Sequence, residues 1–255
     1  DHHHPRRRRA SAFDMGLDMA ENSSATSGYR LPIWPPRHSG FASALRGFGF
    51  VGILAIVGIY ASSVIIPGLG ALLVLAWAWG SGTPWHEVGF SRPRSWVATI
   101  ALGIVLGVAL RAVMKFLVMP ALGAPPNSAF HHLEGNTAAL PLAILIMGFL
   151  AATGEEVVMR GFLFERLTRL FGRSAAAITV IVLVTSAIFG VGHYPLQGLA
   201  GAQHAGIMGL IFGALYVATG RVWLPIITHG AFNLTGLAII YLGVGPQLDA
   251  WLWGT

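Results

Sequence analysis

The sequence predicts an all-α, polytopic membrane protein of about seven transmembrane helices. Three observations predict it. Of 255 residues, 55% are hydrophobic and only 10% charged, with a mean hydropathy of +0.67; a soluble domain carries roughly 25% charged residues. Apolar stretches near the length of a bilayer crossing, about 20 residues, recur along the chain. Arginines fall between those stretches on alternate connections, as the positive-inside rule requires.

Residues 1–40 are polar and rich in Arg, Ser and Pro, and are expected to form a disordered basic cytoplasmic tail. The run Arg6 to Arg9 reads as a topology signal or a contact with anionic headgroups; no nucleic-acid partner is expected, because no folded basic motif accompanies it. The triplet His2 to His4 reads as an unselected coding stretch rather than a metal-binding tract. The chain opens with Asp1, with Met15 and Met19 as candidate starts, and no cleavable signal peptide is expected, since the first apolar core begins near residue 48. Cysteine is absent, which excludes disulfides and thiolate chemistry.

A membrane domain is expected over 41–245. Its first span is read at 45–63 and a short second at 66–81, separated by Pro67. The third is read at 95–119, with Arg111 and Lys115 near its end, placed to snorkel. After a loop at 120–138 comes a fourth at 139–171, longer than a bilayer needs. The fifth, sixth and seventh are read at 174–193, 199–219 and 222–242. The tail 246–255, with Trp251 and Trp253, suits the membrane interface. With the N-terminus cytoplasmic, Arg92 and Arg94, Arg169 and Arg173, and Arg221 all fall on cytoplasmic connections. A bacterial plasma membrane suits the arginine and alanine bias.

Five ionisable residues lie within or against the apolar stretches: Glu155, Glu156, Arg160, His193 and His229. An ionisable group in hydrocarbon costs several kcal/mol and is rarely idle. Two adjacent carboxylates in a low dielectric resist ionising together, and a carboxylate so placed can serve as a base. Helix arithmetic brings these groups together. Glu155 lies 17 residues before the turn at Gly172 and His193 lies 21 after it, so their depths differ by only about 6 Å. His229 follows the turn at Gly220-Arg221 by 8 residues, about 12 Å. Glu156 and Arg160, His229 and Asn233, and Phe189 and His193 are each spaced i,i+4 and share a helix face. Phe189 is expected to shape the pocket by packing. His131, His132 and His204 match no motif and are read as loop or interfacial residues, with lining an access path as the alternative for His204; Glu165 with Arg169 reads as a surface pair.

The segments Glu155-Glu156-x-x-x-Arg160, Phe189-x-x-x-His193 and His229-x-x-x-Asn233, in this order and each in an apolar helix, resemble the three motifs of the CAAX protease and bacteriocin-processing family, which includes the type 2 CAAX prenyl endopeptidases. The resemblance covers about residues 45–245, with its core at 139–242, and implies an intramembrane endopeptidase. Glu155, helped by His193, would position and deprotonate a water. His229 and Asn233 would face the scissile carbonyl, and Arg160 would hold Glu156 ionised. The resemblance leaves the cofactor open between none and zinc. If a metal takes part, Glu155, His193 and His229 are its expected ligands; without an HExxH motif, the metal-free route is favoured. The expected substrate is a membrane-associated or lipid-modified peptide or protein, of CAAX type or a bacteriocin or pheromone precursor. Two rival readings remain: a catalytically idle relative acting as an immunity or scaffold protein, and a proton- or cation-coupled transporter. The oligomeric state is not legible.

Overall fold

The computed structural model describes residues 40–124 and 129–253, and no β-strand occurs among them. Apart from Gly40, the basic tail expected over 1–40 lies outside the described residues. Eight helices follow: α1 (Gly40–Arg46), α2 (Phe50–Ile65), α3 (Leu69–Ser81), α4 (Trp96–Ala121), α5 (Leu140–Phe171), α6 (Ala175–Thr219), α7 (Trp223–Tyr241) and α8 (Gly245–Trp253). A short 3₁₀ turn at His131–Leu133 lies in the α4–α5 loop.

The first expected span is bent. α1 and α2 meet at 56°, at the glycine pair Gly47 and Gly49. The turn is tight: a Cβ on Gly52 would fall 1.9 Å from the Gly47 carbonyl oxygen. α3 has only 13 residues, because Pro67 and a left-handed Gly68 (φ +85°) use up the start of the second expected span. α4 and α6 begin at serine caps, where Ser95 and Ser174 accept from the amides of Ala98 and Ala177. α5 has 32 residues, about 48 Å of helix, and contains two wide π-helical stretches, Ile144–Ala151 and Val157–Leu163.

The fifth and sixth expected spans form one run of 45 residues, broken only at Gly198 (φ 63°, ψ −164°). The run folds back on itself there. A Cβ on Gly190 would lie 2.8 Å from the Ala202 carbonyl, and one on Gly213 would lie 3.0 Å from Val182. Such approaches require two antiparallel limbs, 175–197 and 199–219. By length and hydropathy, α4, α5, α6 and α7 can cross a membrane, with a fifth crossing if α1 and α2 count as one. The expected figure of seven is not reached on that measure, since α3 is short and α6 is a single broken run. These helices make the chain an integral membrane protein.

Small residues bring α7 to the centre of the bundle. Gly103 and Gly107 of α4 leave no room for a Cβ against Ile227, Thr228 and Ala231, and Gly230 abuts the Gly148 carbonyl of α5 in the same way (2.6 Å to a Cβ). α4 and α7 run parallel, since Trp96 and Trp223 at their starts meet at 5.1 Å between ring centroids. The α2–α3 turn presses on α5, where a Cβ on Gly154 would come 2.8 Å from the Gly68 nitrogen. Lipid-facing positions such as Val97, Val105, Leu142 and Phe149 are exposed and apolar.

The arginine-bearing connections gather at one end of the bundle. Arg221 Nε donates to the Arg92 carbonyl (3.1 Å), Trp223 Nε1 donates to the Ser91 carbonyl (3.0 Å), and Arg169 pairs with Glu87 (2.6 Å). Trp85, Phe90, Trp223 and Trp96 form a string of edge-to-face contacts there, the pattern of an interfacial aromatic belt. Two expectations are corrected. Glu165 is not a surface residue: it is 6% exposed, and its carboxylate is shared between Arg166 and Arg169. Arg111 does not snorkel to the interface. Its guanidinium turns inward over the Phe232 ring, 5.2 Å from the centroid, while Lys115 reaches Asp249 of α8 (2.8 Å).

Candidate active site

The motif residues come from α5, both limbs of α6, and α7. Glu155 and Glu156 end a short α-helical stretch, Ala152–Glu156, between the two π-helical segments of α5. π-Bulges reorient side chains and recur at functional sites. Neighbouring residues on a helix point about 100° apart, so the two carboxylates diverge.

Glu156 and Arg160 are both fully buried, and Arg160 Nη1 donates to Glu156 Oε1 at 3.2 Å. The pair is not isolated. Arg160 Nη2 donates to the Gly209 carbonyl (2.8 Å) on the second limb of α6. Its guanidinium also lies 5.1 Å from the Phe189 ring and 5.5 Å from the Phe212 ring. A buried ion pair repays its desolvation only when further hydrogen bonds complete it, and aromatic faces suit the planar guanidinium.

Glu156 makes a second contact that the sequence analysis does not anticipate. His229 Nδ1 lies 2.8 Å from Glu156 Oε1. A carboxylate paired with arginine can only accept, so the imidazole donates from Nδ1. That bond turns Nε2 toward Glu155, whose Oε2 is 3.7 Å away. Glu155 Oε2 is itself buried and makes no hydrogen bond. The His229 ring is clamped by Phe212, stacked at 4.7 Å and 21°, and by the edge of Phe189 at 6.1 Å.

His193 sits on the same aromatic scaffold, its ring 4.6 Å from that of Phe189. Its Nδ1 donates to the Phe189 carbonyl (2.9 Å), which leaves Nε2 as an acceptor in the neutral ring. Among the described residues it makes no direct hydrogen bond or ion pair with Glu155, whose Oε2 lies 3.7 Å from His229 Nε2. Asn233 Nδ2 donates to the Met147 carbonyl (2.9 Å), inside the first π-helical stretch, and this bond fixes the amide between α5 and α7. Phe189 is 3% exposed and packs as expected.

The structure therefore joins Glu155, Glu156, Arg160 and His229 in one connected array. His193 and Asn233 are held beside it by backbone carbonyls. Phe212 and the Gly209 carbonyl belong to the array too. Nothing in the sequence marks them, since one looks like packing and the other is main chain.

Among the described residues, no group of three His, Asp or Glu side chains is placed to hold a metal ion. His229 and His193 each hold a hydrogen bond at Nδ1 and keep Nε2 available, as metal-ligating histidines do, but Glu155 makes an ion-pair contact with only one of them, at 3.7 Å. The expected set of Glu155, His193 and His229 does not, as placed, form a three-ligand zinc centre, and no step below runs through one.

Residues 137–235, which contain all six site residues, match the family described as "Type II CAAX prenyl endopeptidase Rce1-like". The matched stretch, called the Rce1-like segment for its similarity to that family, is 99 of the chain's 255 residues. Over 99 residues, 37% of this chain, it is 31% identical to a Bacillus subtilis protein named "Putative membrane peptidase YdiL". The match spans 36% of that relative, so the chain covers about a third of the length of the curated protein it resembles. No solved structure matches. The Rce1-like segment coincides with α5, α6 and most of α7, and excludes α1 to α4.

Proposed function

We propose that this protein is an intramembrane endopeptidase that cuts a membrane-associated or lipid-modified peptide or protein by glutamate- and histidine-assisted attack of water. The observation that carries this reading is the array Glu155–His229–Glu156–Arg160, buried where the Rce1-like helices α5 and α7 meet. The Rce1-like match and the relative named as a membrane peptidase support a protease.

Hydrolysis needs a base for the water, donors for the oxyanion, and a proton for the leaving amine. Glu155 takes a proton from water as its oxygen bonds to the scissile carbonyl carbon. His193 Nε2, bare of hydrogen, accepts from the same water and orients it. The carbonyl becomes an oxyanion, which receives hydrogen bonds from His229 Nε2–H and the Asn233 amide. For His229 to donate there while also donating from Nδ1, it carries a proton on each nitrogen in this step. Glu156 and Arg160 hold the ring in place. As the C–N bond breaks, Glu155 returns its proton to the leaving nitrogen, and the second proton of the water passes from the new carboxyl group to the amine, so the products are a carboxylate and an ammonium.

In a bacterial plasma membrane with the arginine-rich end cytoplasmic, a bacteriocin or pheromone precursor is the substrate type this reading favours. The test is quantitative comparison of membrane peptides from cells expressing wild-type or Glu155→Gln protein. Precursors accumulating only with the variant support the reading, and identical peptide sets contradict it.

A further inference from the structure

A second ionisable group faces the core of the bundle, and the hydrolytic scheme does not use it. Arg111 lies in α4, outside the Rce1-like segment. Its Nε is buried without a hydrogen-bond partner, and no carboxylate pairs with it among the described residues. The Phe232 ring lies beneath it and Gly236 beside it. A Cβ on Gly236 would lie 2.6 Å from Arg111 Cζ, so the missing side chain makes the seat for the guanidinium. His204, from the second limb of α6, lies on the same phenylalanine, its ring 5.3 Å from that of Phe232.

Phe232 and Gly236 lie 3 and 7 residues beyond His229 on α7, so Arg111 sits about 5–10 Å further along the helix axis. An extended peptide rises about 3.3 Å per residue. A chain held at His229 and Asn233 therefore reaches Arg111 within two or three residues. A cation within an apolar helix, its Nε buried without a partner, is costly and points to function, and arginine's planar fork matches a carboxylate in two-point contact.

We propose that Arg111, seated on Phe232 and Gly236 with His204 beside it, binds a carboxylate of the substrate peptide two or three residues from the scissile bond. That carboxylate is either the chain terminus or an acidic side chain. Arg111 is thus a specificity-determining residue for the proposed peptidase, and this inference rests on that reading.

The test is binding, measured on full-length Glu155→Gln protein in nanodiscs so that turnover plays no part. The probes are palmitoylated aliphatic decapeptides in three forms: a free C-terminal acid, a C-terminal amide, and the amide with a single Glu moved through the sequence. At least one carboxylate form is expected to bind about tenfold more tightly than the plain amide. The free acid winning identifies the terminus, and the Glu-bearing amide winning identifies a side chain. Arg111→Gln should abolish the preference, and Arg111→Lys should keep part of it. Gly236→Ala, which displaces the guanidinium without changing charge, should weaken it. Equal binding of all three forms overturns the proposal, as does an unchanged preference in Arg111→Gln. A preference that appears only with anionic lipid present points to a headgroup phosphate and also overturns it. Cleavage by the wild type is scored separately. A carboxylate preference without any cleavage sinks the peptidase reading while leaving the binding site standing.

Discussion

The imidazole of His229 has a carboxylate on each side: Glu156 Oε1 lies 2.8 Å from Nδ1, and Glu155 Oε2 lies 3.7 Å from Nε2. The two glutamates are adjacent in sequence but sit in different surroundings. Glu156 is fully buried and tied through Oε1 to both Arg160 and His229, whereas the Glu155 side chain is 24% exposed; Oε2 of each makes no hydrogen bond. Glu156 holds the histidine ring, and Glu155 is the carboxylate that the proposed hydrolysis uses as its base.

That asymmetry separates two substitutions. Glu155→Gln should leave thermal stability nearly unchanged and abolish peptide hydrolysis. Glu156→Gln removes one side of a buried ion pair and should cost about 3–5 kcal/mol, with a lower melting temperature in detergent. If both variants melt alike, the division of labour is wrong.

Arg160 holds three elements at once through Glu156, the Gly209 carbonyl and two aromatic rings. Arg160→Ala should unfold the site. The double change Glu156→Gln with Arg160→Met removes both charges, and should recover part of the lost stability without recovering activity. A thermal-melt cycle over the single and double variants measures the coupling, and additive losses would argue against a shared network.

Asn233 is fixed by the Met147 carbonyl. If its amide serves the oxyanion, Asn233→Ala should lower kcat by about 10²–10³ with little change in KM. A rise in KM alone would assign the amide to substrate binding instead.

Gly154 precedes the glutamate pair and touches Gly68 of the α2–α3 turn. Gly154→Ala places a Cβ about where the Gly68 backbone stands, so a loss of about 1–3 kcal/mol is expected, together with reduced turnover as Glu155 shifts. Full stability in a melt would show that the turn yields freely.

On metal content, the placement of the three expected ligands predicts that purified protein carries far less than one zinc per chain and keeps its activity after exhaustive chelation. Stoichiometric zinc, lost together with activity, contradicts this.

Much of this was legible in the sequence, for identifiable reasons. Hydropathy marked α4, α5 and α7 to within a few residues, since a crossing helix has no other way to satisfy its backbone. The i,i+4 spacing gave the Glu156–Arg160 pair, because that contact lies on one helix. Hairpin arithmetic gave depth but not rotation. It placed Glu155 level with His193, while the side-chain directions set Glu156 on His229 and Glu155 beside it. The wide turns of α5 change those directions, and no residue type announces them. Arg111 escaped for a similar reason: a cation near the end of an apolar stretch looks like a snorkelling one until the glycine that seats it, on another helix, is seen.

The most direct test uses oxygen-18 water. Isolated membranes are incubated with purified wild-type or Glu155→Gln protein in labelled water, and new peptide C-termini are read by mass spectrometry. The account predicts new termini carrying the heavy isotope with the wild type and none with the variant. Labelled termini produced equally by both proteins would contradict it.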